Sequence, residues 1–227
     1  MNGNTNKNRQ VPAGNEGLIP KHGGFRNLKS FQLAQLIYDI TVRFCDKFVS
    51  PRSRTHDQMV QAARSGTQNI AEGSVDSATS KKIELKLTGI AKGSLEELRL
   101  DYQDYLRQRS LPEWPPDHPA LVRFKKLRCS TLQEFRAWVA EEAKKEKKSK
   151  TDKQGQARTD TSGVKVGGSP CSPVFPSVCV ANGALSLLNL CIYLLDRQLC
   201  AQAETFEKEG GFTERLYRIR SERRRNS

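Results

Sequence analysis

The chain has 227 residues, an apolar fraction of 36%, a formal net charge of +13 and a mean hydropathy of -0.65. That length buries a core in one domain or two, the hydrophilic balance leaves part of the chain unpacked, and the charge fits either an anionic partner or a solubilising surface. Six cysteines (Cys45, Cys129, Cys171, Cys179, Cys191, Cys200) form no C-x-x-C pair and the histidines are scattered, which excludes the spacing of a zinc module.

Residues 1–24 are polar and rich in Asn and Gly, and are expected to form a disordered tail. The start "MNGNTNKNRQ" has no apolar h-region, so the expectation is a cytoplasmic protein whose reduced cysteines are small core residues. Leu33, Leu36, Ile37, Ile40, Phe44 and Phe48 recur at spacings of three and four and predict a first amphipathic helix, stopped by Pro51. A second starts behind Ser53 or Thr55, runs to Glu72 and ends at Gly73, read as a left-handed C-cap. A third begins behind Asp76, Ser77 or Ser80 and turns Ile83, Leu87, Ile90, Ala91, Leu95, Leu98, Tyr102, Tyr105 and Leu106 inward. Short connections between the three imply antiparallel neighbours, within a unit spanning 25–110.

The second helix is crowded with small and polar residues: Ser65, Gly66, Asn69 and Glu72. Gly89 and Gly93 sit one turn apart on the third, each costing about 1 kcal/mol against alanine. Close approach of the two backbones at these positions offsets that cost in the structural reading. Asn69 and Glu72 then lie near a helix end, bonding exposed backbone groups or a neighbouring helix, while a catalytic role for the pair stays open as the alternative.

"LPEWPPDHP" breaks the helical pattern, and a further amphipathic segment follows with Leu121, Phe124, Leu127, Leu132, Phe135 and Val139 as its stripe, within 111–146. The charged and then Gly/Ser-rich stretch 147–177 reads as a linker. From 178 to about 208 comes the most apolar helix, with a basic tail over 211–227. "VCVANGALSLLNLCIYLL" approaches the length of a membrane span, but Asn182, Ser186 and Asn189 are costly in hydrocarbon. A helix buried on several sides fits it better, and it is the choice for the fourth helix of a bundle, with the 120–143 segment packing outside. The fold class expected is therefore all-α: an antiparallel up-and-down four-helix bundle with an extra helix or insertion and a basic C-terminal extension.

No nucleotide or catalytic signature emerges. "GSVDSATSK" lacks the phosphate-loop spacing, adjacent Glu96 and Glu97 point apart on a helix, and no nucleophile–base constellation exists, so no enzyme, cofactor or metal is expected. Basic clusters carry more information. Arg215, Arg218, Arg220, Arg223, Arg224 and Arg225 face only Glu214 and Glu222, with Tyr217 able to stack on an unpaired base. Arg223 to Arg225 read as a loose arm. Lys144, Lys145, Lys147 and Lys148 form a second cluster, diluted by Glu141, Glu142 and Glu146. Phosphate contact, RNA ahead of DNA, and a merely solvated helix end are the two readings of this charge.

"FRNLKSFQLAQLIYDIT", "RSGTQNIAEGS" and "IAKGSLEEL" resemble the bacterial four helix bundle family, which includes proteins encoded in intervening sequences of large-subunit ribosomal RNA genes. The string Asn69 to Gly73, followed by Ala91 to Leu98 with Gly93, Ser94 and Glu97, is the most specific part. "YLLDRQLCAQAETFEKEGGFTERLYRIRSERR" resembles the suffix domain attached to some members. The resemblance implies an up-and-down bundle that assembles into rings, pentamers in characterised relatives. A related branch serves as accessory protein of diversity-generating retroelements, where a basic bundle oligomer holds a reverse transcriptase and its RNA. The 111–177 insertion and the arginine-rich end depart from the short relatives. The function expected is a non-enzymatic oligomeric scaffold binding nucleic acid, alongside a partner enzyme. A bundle that docks only on protein is the alternative.

Overall fold

The computed structural model describes residues 23–156 and 174–225, and every regular element among them is helical. The tail expected over 1–24 falls almost wholly outside them, as does the Gly/Ser-rich part of the linker. A short 3₁₀ turn, Phe25–Asn27, leads into α1 (Lys29–Phe48), followed by α2 (Arg54–Asp76) and α3 (Lys81–Gln108). The predicted stripe of α1 is the buried one: Leu33, Leu36, Ile37, Ile40 and Phe44 all face inward. Both following helices begin on serine caps. Ser53 Oγ accepts from Thr55 N at 3.3 Å, and Ser80 Oγ accepts from Ile83 N at 3.2 Å.

Gly73 is not a C-cap. The helix continues through it to Asp76, and the glycine is buried where a Cβ would stand 3.3 Å from Leu87 Cβ and 3.4 Å from Glu84 O. Its role is close approach of α3, not left-handed backbone.

The 111–119 stretch is non-helical up to His118, whose Nδ1 accepts from Ala120 N at 3.3 Å to cap α4 (Pro119–Leu127). The single helix expected over 120–143 is broken. Arg128 adopts left-handed backbone (φ 49°), and Thr131 and Glu134 form a reciprocal capping box that starts α5 (Leu132–Gln156). Backbone N–H groups of Ser130 and Thr131 hold the Glu134 carboxyl below its ordinary range. Helix α5 also runs ten residues into the segment read as linker, which begins at 147.

Helix α6 (Val174–Glu209) spans 36 residues, and Pro176 is tolerated because the N–H it lacks lies in the first turn, where backbone donors have no intrahelical acceptor. It packs on α1 and α3, which both pack on α2. The helix begins beside the end of α3 and finishes beside its start. Asn182, 2% exposed, accepts from Trp114 N at 2.6 Å and donates to Pro112 O at 3.0 Å, while Gln202 donates to Glu84 at 3.0 Å and Lys92 pairs with Asp196. Its most apolar window is 67% buried, the character of a core helix.

The core closes around Phe44, Tyr102, Leu95, Leu98, Leu188 and Leu195. Tyr102 is fully buried with its hydroxyl 3.1 Å from Thr41 Oγ1, which satisfies both groups. Helices α4 and α5 cover the outside of α6 through Phe124, Phe135 and Trp138; the three rings pack on one another, and the two of α5 meet Gly183. A Cβ there would stand 2.7 Å from the Trp138 ring. Cys45, Cys129, Cys179 and Cys191 are buried free thiols, and Cys200 is exposed. Burial pushes Cys45 and Cys191 up to about 12, so they are inert packing groups.

Candidate nucleic-acid interface

Gly210 (φ 71°) ends α6, its N–H bonding Phe206 O at 2.9 Å, and Glu214 receives the Gly211 N–H at 2.9 Å to open α7 (Phe212–Arg225). No residue of α7 is buried. Phe212, Leu216 and Ile219 are half-buried, while Arg218, Arg220, Arg224 and Arg225 are exposed and Tyr217 is 76% exposed. The spacing i, i+3, i+7 gathers Tyr217, Arg220 and Arg224 on one face, while Arg215, Arg218 and Arg225 share another. Arg223 to Arg225, expected as a loose arm, are the last turn of the helix. Helical order fixes the spacing of these donors.

The start of α7 rests against the turn between α2 and α3, where Arg215, Arg218 and Lys81 line one small cavity. Lys81 was missed in the sequence because more than a hundred residues separate it from the arginines. It pairs with Glu84 at 3.3 Å, so its contribution to the local field is reduced.

The lysine run lies elsewhere. Lys144, Lys145, Lys147 and Lys148 are exposed on α5, but Lys145 Nζ lies 3.1 Å from Glu142 Oε1. Glu142, read only as a diluting charge, is 3% exposed and accepts from Arg123 Nε at 2.8 Å in a two-pronged pair that ties α4 to α5. Arg123, aided by Lys145, holds the Glu142 carboxyl below its ordinary range against the opposing effect of burial. Phe135 and Trp138 of α5 lie against Gly183, so α5 crosses the first turns of α6. From Cys179 to Glu209 the one helix spans about 45 Å. The two basic clusters therefore occupy opposite ends of the molecule.

The small-residue positions divide. Ser65 Oγ meets Ser94 Oγ at 3.0 Å across α2 and α3, and Asn69 Nδ2 donates to Ser65 O at 2.8 Å and to Ser65 Oγ at 3.1 Å. Asn69 thus lies mid-helix and bonds its own preceding turn rather than a helix end. Gly66 is a true contact, since a Cβ there would lie 2.6 Å from Leu95 Cδ2. Gly89 and Gly93 are not: a Cβ at either meets nothing within 4 Å. They face outward on α3, so the close approach rests on the glycines of α2 instead. Glu72 is exposed, with no hydrogen bond or ion pair among the described residues.

Ser65, Ser94 and Glu97 border a groove of about 660 Å³ with Arg54, Asp57 and Asp101. Burial, followed by the neighbouring Asp104 and Glu97, raises the Asp101 carboxyl. Among the described residues no three His, Cys, Asp or Glu side chains gather to hold a metal. Comparisons with protein-family models, with curated proteins and with solved structures yield no match.

Proposed function

We propose that this chain is a non-enzymatic, oligomeric helical scaffold that binds nucleic acid, RNA ahead of DNA, through the arginine face of α7. The observation that carries the reading is the ordered display of Arg218, Arg220, Arg224 and Arg225 around an exposed Tyr217 on a helix with no buried residue. Guanidinium forks suit phosphate and the phenol ring suits an unpaired base. A helix end that served only solubility has no need of an exposed aromatic among its arginines. The contacts of α1, α2, α3 and α6 support an antiparallel up-and-down four-helix bundle beneath it, with α4 and α5 as the extra layer. Repetition of α7 by symmetry in a ring, a pentamer in the resemblance, multiplies the field without new residues.

The test is affinity for single-stranded and structured RNA and DNA across a salt series. Contact with n phosphates gives a slope of log K against log salt of about -0.7n on single strands. No binding at low salt refutes the reading. A second reading, docking on protein alone, draws on the outward strip of α3, where Gly89 and Gly93 lie open beside Ile90 (42% exposed) and Leu100 (57% exposed).

A further inference from the structure

On the far side of α6 from the core is a surface groove of about 460 Å³, between the proline-rich loop, α4 and α6. Its loop wall is Glu113, Trp114 and Pro116, with the Glu113 carboxylate accepting from Gln103 Nε2 at 3.1 Å, and its helical walls include Leu121, Leu190 and Tyr193. The loop wall is rigidly held. Trp114 N donates to buried Asn182 at 2.6 Å, and the indole stacks on His118 with ring centres 4.3 Å apart and planes 12° from parallel. Tyr193 is 55% exposed and Leu190 46%. Arg197 lies 6.0 Å from the Tyr193 ring centre and donates to its hydroxyl at 3.3 Å. Lys125, whose Nζ donates to Pro116 O at 2.8 Å, stands at the opposite rim. Between the rims Asn189 is exposed, an amide with both a donor and an acceptor to offer.

We infer that this groove receives an unpaired nucleobase from a single strand, with the Tyr193 ring and the Trp114 wall against its flat faces and Asn189 bonding its edge. Lys125 and Arg197 then meet the phosphates on either side. Aromatic surface, one edge-reading amide and flanking cations form the combination by which proteins hold splayed bases, and a drug-sized or nucleotide-sized ligand fits pockets of this volume. An aliphatic peptide has no use for the Asn189 amide in the wall, or for Lys125 at one rim and Arg197 one turn beyond Tyr193. The inference rests on the nucleic-acid reading above, but it concerns a separate surface, enclosed by the loop, α4 and α6 where α7 is open.

The two tryptophans give a direct readout, because Trp114 lines the groove while Trp138 is 2% exposed. The full chain is titrated with a twelve-residue oligoadenylate and with an abasic strand of equal length, following tryptophan emission and affinity; a Trp114→Phe variant assigns the signal. The expected result is quenching by oligoadenylate alone. Tyr193→Ala then weakens oligoadenylate binding by about 5- to 150-fold and leaves abasic-strand binding unchanged. Asn189→Ala, at an exposed position that folding does not need, weakens it in the same selective way. Equal affinity for both strands with unmoved Trp114 emission overturns the base pocket and leaves phosphate binding by α7 standing. No binding of either strand at low salt sinks both.

Discussion

Replacing Gly93 and Gly66 by alanine, one at a time, separates two uses of glycine on neighbouring helices. At Gly93 a Cβ meets nothing within 4 Å, so the change removes only the helix-propensity penalty of glycine and stabilises by about 1 kcal/mol. At Gly66 the same gain is opposed by a methyl group 2.6 Å from Leu95 Cδ2 and 2.7 Å from its Cγ. Leu95 is fully buried and cannot swing outward, so overpacking costs about 1–3 kcal/mol. The net effect at Gly66 runs from neutral to a loss of about 2 kcal/mol, and the two variants differ by about 1–3 kcal/mol. Urea unfolding followed by far-ultraviolet circular dichroism measures both, with the shift in midpoint read at constant slope. Gly66→Ala more stable than Gly93→Ala refutes the assignment of the close contact to α2.

Four other outcomes are expected. Glu142→Gln costs about 1–3 kcal/mol, seen in Trp138 emission on denaturation, because Arg123 loses a charge-assisted partner. Since the folded-state pKa of Glu142 is lowered, the stability it contributes is present above the ordinary value of 4.5 and is lost as pH falls through the folded value; the variant should be insensitive to this component. Asn182→Ala leaves Trp114 N and Pro112 O without their partner and costs about 1–3 kcal/mol, with faster proteolysis in the 111–118 loop as a local check. Cys200 reacts with maleimide in the native protein well before Cys45, Cys179 and Cys191, as thiol counting by mass will show. Truncation after Gly211 lowers the urea midpoint only slightly, since α7 buries no residue fully and loses just the half-buried Phe212, Leu216 and Ile219, and it flattens the salt dependence of RNA binding.

The sequence carried the helices where one face alone is apolar. The α1 stripe, apart from half-buried Phe48, appears as read, and of the cap candidates Ser53 or Thr55 and Asp76, Ser77 or Ser80 the structure selects Ser53 and Ser80. The break between α4 and α5 was also encoded locally, by Thr131-x-x-Glu134, but a continuous apolar stripe from Leu121 to Val139 masked it. Gly73 looked like a terminator because glycine serves both left-handed caps and tight contacts, and only the partner helix decides between them. Gly89 and Gly93 were misplaced for another reason: a glycine pair one turn apart does not say whether its face meets a helix or solvent. At the candidate interface the arginines of α7 were legible from composition. Lys81, the buried Glu142 and the Trp114–Tyr193 groove depend on which distant segments meet, and no local pattern announces them.

One uninterrupted helix, α6, carries the chain from the lysine end to the arginine end. A rod of this kind acts as a calliper. Its jaws cannot close, because the helix is pinned along its length by α1 and α3. The ~45 Å of α6 from Cys179 to Glu209 matches about 13 base pairs of duplex DNA, at a rise of about 3.4 Å per pair, so a duplex that touched both jaws would need to be of that order. Shorter duplexes would engage one jaw and gain nothing from the other, so affinity plotted against duplex length would rise in a step rather than a slope.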